Sequence, residues 1–120
     1  MKVLITSTGN DLDAQVDLRF GRARYFILYD TEDKSFSAID NTQNLSAPQG
    51  AGVQSGQNVV NTGAEALITG NCGPKAFRVL TEAGVQIYIG ASGTVREAIA
   101  DLENGKLSLA DDANVQGHWI

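Results

Sequence analysis

Five short apolar runs recur along the chain between polar or glycine-rich turns, and each has the length of a strand. They cover residues 3–5, 25–29, 36–39, 66–69 and 86–89. The second and third runs flank the acidic turn 30–34, as expected of an antiparallel hairpin. Each of the last two runs precedes a helical pattern. Strand, turn and helix repeated in this order predict parallel strands joined by crossovers.

Three segments carry helical spacing or helix boundary signals, at residues 53–62, 74–83 and 95–104. The second begins with Pro74 and is expected to stop at Gly84. In the third, Thr94 and Glu97 predict a capping box, with Gly105 as the stop. The sequence therefore predicts an α/β fold with a mixed five-stranded sheet, an antiparallel hairpin plus parallel strands, flanked by three helices.

The chain has 120 residues, enough for one domain, and its composition of 42% hydrophobic and 19% charged residues is typical of a globular protein. We expect a single cofactor-binding domain at 1–106 and a C-terminal tail at 107–120 whose structure the sequence does not predict. No stretch approaches the ~18 apolar residues of a membrane span, and the chain starts without a secretory leader pattern. We expect a cytoplasmic protein without a membrane partner.

The formal net charge of −5 argues against nucleic acid as a partner, so any anion site must be local. Three of the nine basic residues, Arg19, Arg22 and Arg24, lie within six positions in the long loop after the first strand. An anion site is one interpretation of this cluster. The alternative is that the arginines only pair with the three aspartates of the same loop.

The carboxyl ends of the parallel strands should meet at one edge of the sheet, where α/β proteins bind ligands. Two predicted helices begin there, so unpaired N–H groups and positive helix-dipole ends should face this edge. Together with nearby basic residues, these features predict an anion pocket. Its candidate residues are Ser7, Thr8, Arg19, Arg22, Gly70, Asn71, Cys72, Gly73, Lys75, Ser92, Gly93 and Thr94.

Cys72 is the only cysteine, so the chain cannot form an internal disulfide. A thiol just ahead of a helix N-terminus is expected to have a lowered pKa and to be free to bind a soft metal. The alternative is a small residue fitted into a tight turn, because one thiolate cannot hold a structural metal by itself. His118 is interpreted as a tail residue rather than a ligand.

The sequence favours a binding protein over an enzyme. Neither glycine-rich turn matches a nucleotide-binding motif. Cys72 has no evident catalytic base, because His118 is the only histidine. The alternative function is a protein-interaction or regulatory module of the same fold without a stable cofactor.

Four segments are similar, in order and spacing, to one protein family. They are residues 17–23 ahead of an aromatic strand, Gly50-Ala51-Gly52, residues 68–77 and residues 91–98. Through them the chain resembles, over nearly its whole length, the dinitrogenase iron-molybdenum cofactor biosynthesis family.

The resemblance implies a ribonuclease H-like fold and a carrier of an anionic metal-sulfur cluster, namely a noncovalently held molybdenum-copper sulfide cluster. It adds Phe20, Gly21, Gly50 and Gly52 to the candidate binding residues. It also implies a cluster-receiving protein or partner ATPases as partners. The implied pocket uses backbone N–H groups with Arg or Lys, and Cys72 is an optional sulfur ligand.

Overall fold

A computed structural model describes residues 1–41, 51–111 and 113, apart from the side chains of Ala51 and Gly52. All eight predicted elements are confirmed, each within two residues of its predicted ends. They are β1 (Lys2–Ser7), β2 (Tyr25–Asp30), β3 (Phe36–Asp40), α1 (Ala51–Asn61), β4 (Ala66–Ile68), α2 (Pro74–Glu82), β5 (Gln86–Tyr88) and α3 (Val95–Glu103).

The strands form one mixed sheet in the order β3-β2-β1-β4-β5. β2 is antiparallel to both of its neighbours, whereas β1, β4 and β5 run parallel. The predicted hairpin and parallel strands are therefore confirmed. The carboxyl ends of β1, β4 and β5 lie at the same edge of the sheet, which we call the carboxyl edge.

Helices cover both faces of the sheet. Leu4 of β1 packs in a core with Val59 of α1 and Leu80 of α2. The adjacent residue Ile5 points to the opposite face and packs in a second core with Ile99 of α3. Because both faces are covered, the central strand β1 is apolar at successive positions rather than alternating with polar residues.

The segment of residues 16–20, here called the crossing segment, passes over the carboxyl edge from one face of the sheet to the other. Val16 is buried in the core beneath α3, and Phe20 is buried in the core beneath α1 and α2. Between them Leu18 lies against Gly70, where an added Cβ would stand 2.7 Å from the Leu18 Cα atom. The crossing segment therefore lies on the ends of β1 and β4.

The chain after α3 returns along the outer edge of β5. Leu109 forms an antiparallel bridge with Tyr88, and the Ala110 N–H donates to the Ile87 carbonyl at 2.7 Å. Leu107 packs against the core beneath α3. This part of the predicted tail thus pairs with an edge strand that would otherwise expose unpaired backbone groups. His118 lies outside the described residues.

Gly70→Ala should lower the free energy of unfolding by about 1–3 kcal/mol, because the new Cβ would displace the Leu18 backbone. Urea unfolding measures this change. Gly56→Ala in α1 is the matched control: its Cβ would meet only the Val79 side chain closely, at 3.3 Å, and alanine favours the helix. Equal effects of the two substitutions would contradict the tight contact at Gly70.

Candidate functional site

A surface groove of about 400 Å³ lies between α1 and α2, near the start of both helices; we call it the helix groove. Val53, Pro74 and Val79 form its apolar walls, and Lys75 and Arg78 add two cations. The groove thus combines apolar contact surface with positive charge.

The positive charge of the groove is not neutralised by neighbouring acids. Lys75 and Arg78 are both exposed, and neither has a carboxylate within ion-pairing distance among the described residues. Lys75 is the second residue of α2, where the helix dipole disfavours a cation, and Arg78 is its neighbour on the helix surface. An anion in the groove would offset both the unfavourable helix-dipole interaction of Lys75 and the repulsion between Lys75 and Arg78.

The first turn of α2 also offers backbone donors. Pro74 has no N–H, and Gly73 provides no side-chain cap. Within the part of the chain that the structure describes, the N–H groups of Lys75 and Ala76 have no acceptor, and the Phe77 N–H donates to the Gly73 carbonyl. These two backbone donors need a cap, water or a ligand as acceptor, and they lie beside the two cations.

The prediction that the start of α3 offers unpaired backbone N–H groups is wrong. The N–H groups of Val95 and Arg96 donate to carbonyls of residues 12–14 at 2.9 and 2.8 Å. The Glu97 N–H donates to Thr94 Oγ1 at 3.1 Å, and the predicted capping box is confirmed. The loop after β1 and the capping box thus occupy the donors that the sequence alone suggested were unpaired.

The charge at the start of α3 is also neutralised. Arg96 is the second residue of α3, as Lys75 is of α2. Arg96 Nε lies 3.1 Å from Asp13 Oδ1. The two helix starts therefore differ in electrostatics, and only α2 has an unpaired cation in its first turn among the described residues.

The crossing segment brings Arg19 to the chain that leads into α2. Arg19 is exposed and forms a parallel bridge with Asn71, whose side-chain amide donates to the Leu18 carbonyl at 2.9 Å. The Asp17 carboxylate accepts the Arg19 backbone N–H at 3.1 Å and makes no ion pair among the described residues. The alternative, in which this arginine only pairs with its own loop's aspartates, therefore finds no support at Arg19. Arg22 is half-buried.

Several other candidate residues serve the loop structure. The buried Ser7 Oγ donates to the Gly9 carbonyl at 2.7 Å, and Thr8 Oγ1 donates to a loop carbonyl at 3.2 Å. Phe20 is fully buried, and the Gly21 carbonyl accepts from the Ser55 hydroxyl of α1 at 3.1 Å. These contacts show what the residues do in the fold, and a binding role for them stays a prediction.

The remaining candidate residues are Ser92, Gly93, Gly52 and Gly50. Ser92 is exposed, and Gly93 adopts a φ of +82° ahead of α3. Gly52 lies in the first turn of α1. Gly50 lies outside the described residues.

Cys72 lies in the core beneath α1 and α2 and is fully buried. Burial raises the pKa of the Cys72 thiol to about 12, so the predicted lowering of this pKa is wrong. Loss of solvation outweighs the favourable position ahead of a helix start. Among the described residues, no group of three or more His, Cys, Asp and Glu side chains could hold a metal ion.

The sequence interpretation missed Arg78 and the apolar walls of the groove. The spacing of Lys75 and Arg78, three positions apart on one helix, was the available signal. The position of Val53 opposite them depends on how α1 packs on α2, which no local pattern reveals.

The buried thiol should resist alkylation. With a pKa near 12 instead of the ordinary 9.0, the thiolate fraction at pH 8 falls roughly 1000-fold. Iodoacetamide should therefore modify the folded protein far more slowly than the urea-unfolded protein, as followed by mass spectrometry. Equal rates in the two states would contradict the burial of Cys72.

The same thiol should make stability depend on alkaline pH. Its pKa is higher in the folded state than in the unfolded state, so its contribution to stability is complete below pH 9 and is lost as the pH rises towards 12. Urea unfolding across this range measures the loss. Cys72→Ala is the control, because it should remove this part of the pH dependence.

Comparison with known proteins identifies similar sequences and structures. Residues 1–105 match the family model described as dinitrogenase iron-molybdenum cofactor. An uncharacterized protein of Methanocaldococcus jannaschii is 30% identical in an alignment of 110 residues that covers 89% of each chain.

Two solved structures share the fold over nearly the whole chain. The apo form of the orange protein from Desulfovibrio gigas matches with a TM-score of 0.92 and 34% identity, covering 95% of this chain and 96% of that one. A Thermotoga protein of the DUF35 family, determined by NMR, matches with a TM-score of 0.84 and 40% identity, covering 97% and 98%.

Proposed function

The chain belongs to the dinitrogenase iron-molybdenum cofactor family, and from that premise we propose that it is a non-catalytic carrier of an anionic metal-sulfur cluster. We place the cluster in the helix groove. Two cations, Lys75 and Arg78, have no ion-pair partner among the described residues, and they lie beside two backbone donors of the α2 first turn that have no acceptor there. This observation carries the proposal. Similarity to the orange protein supports the same interpretation.

The groove suits a sulfide-rich anion. Its volume of about 400 Å³ is in the range of small-ligand sites. Lys, Arg and backbone N–H groups donate hydrogen bonds to sulfide, and the Val53 and Val79 side chains can contact a polarisable surface without needing a polar partner. A protonated, buried Cys72 takes no part in this arrangement. The cargo implied by the family resemblance is a noncovalently held molybdenum-copper sulfide cluster.

Two cations alone do not supply the free energy of micromolar binding. Charge-assisted hydrogen bonds contribute about 1.5–3 kcal/mol each, and the helix end about 0.3–1 kcal/mol. Lys75, Arg78 and the helix dipole therefore supply about 3–7 kcal/mol, short of the roughly 8 kcal/mol of micromolar binding. We propose that the two backbone N–H donors, Arg19 and the apolar walls supply the difference. Ser92, Gly93 and Thr94 lie at the neutralised α3 start and are not needed.

The fold class, the localisation and the partners are part of the same proposal. The strand order β3-β2-β1-β4-β5 with β2 alone reversed supports a ribonuclease H-like classification. None of the helices in the described ranges is long and apolar enough to cross a membrane. A cytoplasmic carrier that passes its cluster to a receiving protein remains our prediction, as do partner ATPases.

Anaerobic reconstitution with tetrathiomolybdate and Cu(I), followed by desalting, visible absorption and metal analysis, tests the carrier function. The wild type should retain colour and a fixed Mo:Cu ratio. Lys75→Ala/Arg78→Ala should weaken retention about 100-fold or more, through the loss of two charge-assisted contacts. Arg96→Ala is the matched control, because Arg96 has the equivalent helix position but is paired with Asp13, and it should bind like the wild type.

A colourless, metal-free wild type after desalting would overturn the carrier function. It would favour the alternative of an interaction module that uses the same cationic groove for an acidic partner. Loss of binding in Arg96→Ala as well would show that general charge, rather than the groove, holds the cluster.

Cys72→Ala should retain the cluster with the same Mo:Cu ratio and the same affinity, because the thiol is buried and protonated at neutral pH. The reconstitution assay above measures this. A folded Cys72→Ala protein that loses its copper would instead identify Cys72 as a sulfur ligand. A thermal melt of the metal-free variant checks that it is folded.

A further inference from the structure

We propose that the buried hydroxyl groups of Thr6 and Thr69 position Arg19 for the anion in the helix groove. They would do so by fixing the crossing segment at Asp17. This inference rests on the proposed function, because Arg19 is assigned there as a contact to the cluster. Thr6 and Thr69 themselves touch no ligand and act as positioning residues.

The hydroxyl groups form a directed chain. Thr6 and Thr69 are both fully buried, and their Oγ1 atoms are hydrogen-bonded at 2.9 Å. Thr6 Oγ1 also lies 2.7 Å from the Asp17 carbonyl oxygen. Because a carbonyl can only accept, the single hydroxyl hydrogen of Thr6 goes to Asp17, and Thr6 accepts the hydrogen of Thr69.

Thr6 holds Asp17 at two points. Its hydroxyl donates to the Asp17 carbonyl, and its own carbonyl accepts the Asp17 N–H at 2.9 Å. Both backbone groups of one loop residue are thus bonded to one residue of the central strand. The Asp17 carboxylate then accepts the backbone N–H of Arg19 at 3.1 Å. A continuous series of hydrogen bonds leads from the sheet interior to the residue that carries the cation.

The strand positions do not themselves require hydroxyl groups. The neighbouring residues Ile5 and Ile68 are fully buried and apolar, and valine would fit the backbone of β1 or β4 equally well. A buried hydroxyl is costly unless it is bonded. Here the bonds lead to a loop carbonyl, so the hydroxyl groups specify where the crossing segment lies.

Fixing the backbone at Arg19 matters because a long side chain loses rotamer freedom when it binds. A guanidinium that starts from a fixed backbone loses less freedom, so preorganisation raises affinity without adding a contact. Removing the Thr6 hydroxyl should therefore weaken anion binding through Arg19 alone.

Thr6→Val tests this, since valine keeps the branched shape and removes the hydroxyl. Titration of the reconstituted molybdenum-copper sulfide species, followed by visible absorption, should show about tenfold weaker binding, the equivalent of one lost charge-assisted contact. Thr6→Ser restores the hydroxyl and should bind nearly as the wild type does. In an Arg19→Ala background, Thr6→Val should cause no further loss.

Additive effects of Thr6→Val and Arg19→Ala would overturn the proposal, because Thr6 would then act independently of Arg19. Unchanged affinity in Thr6→Val, with Arg19→Ala weakened, would also overturn it and leave the carrier function intact. If the wild type binds no cluster, the carrier function fails, and the positioning role of Thr6 for the cluster fails with it.

Amide hydrogen exchange of the metal-free protein tests the hydrogen-bond series separately. The Asp17 and Phe20 amides should exchange faster in Thr6→Val than in the wild type, with little change in the helices. Unchanged exchange at Asp17 would overturn the role of the hydroxyl group in fixing the segment. If Thr6→Val does not fold, Thr69→Val leaves the bond from Thr6 to Asp17 in place and should show the same effects at smaller size.

Discussion

The contact between Leu18 and Gly70 covers the position at which an open α/β sheet usually binds a ligand. In an open α/β sheet, the usual ligand site lies beyond neighbouring parallel strands whose following segments leave in opposite directions. Here β1 and β4 are those strands, and Leu18 lies at their ends within van der Waals distance of the Gly70 backbone. The protein's own backbone covers that position. The crossing segment also brings Arg19 beside Asn71, on the chain that leads into α2.

Two helix starts with similar sequence signatures have opposite electrostatic outcomes. Each follows a glycine-containing turn and carries a cation as its second residue, Lys75 in α2 and Arg96 in α3. The loop after β1 folds back on α3, where its carbonyls accept first-turn N–H groups and Asp13 pairs with Arg96. Nothing comparable reaches α2 among the described residues. Tertiary contacts, rather than the local motif, decide which helix start is available to an anion.

Local signals in the sequence predicted the fold well. The capping box at Thr94 and the glycine stop at Gly84, with a φ of +83°, depend on residues a few positions apart, and both are present. The site was predicted less completely, because its properties depend on distant segments. The pKa of Cys72 rises through burial under two helices, and the groove at Arg78 exists because α1 packs beside α2. Neither the burial of Cys72 nor the packing of α1 beside α2 can be predicted from residues that are close in sequence.

The net negative charge of the molecule affects which anions suit the helix groove. Apart from Arg19, Lys75 and Arg78, six basic residues are set against 14 acidic ones, so the positive groove belongs to a strongly negative molecule. A long polyanion would extend beyond the groove, and the net charge of −5 on the molecule would repel it. A compact anion fits within the positive region and meets little of that repulsion. If the groove holds the cargo proposed above, the net charge of the molecule favours compact anions over nucleic acid.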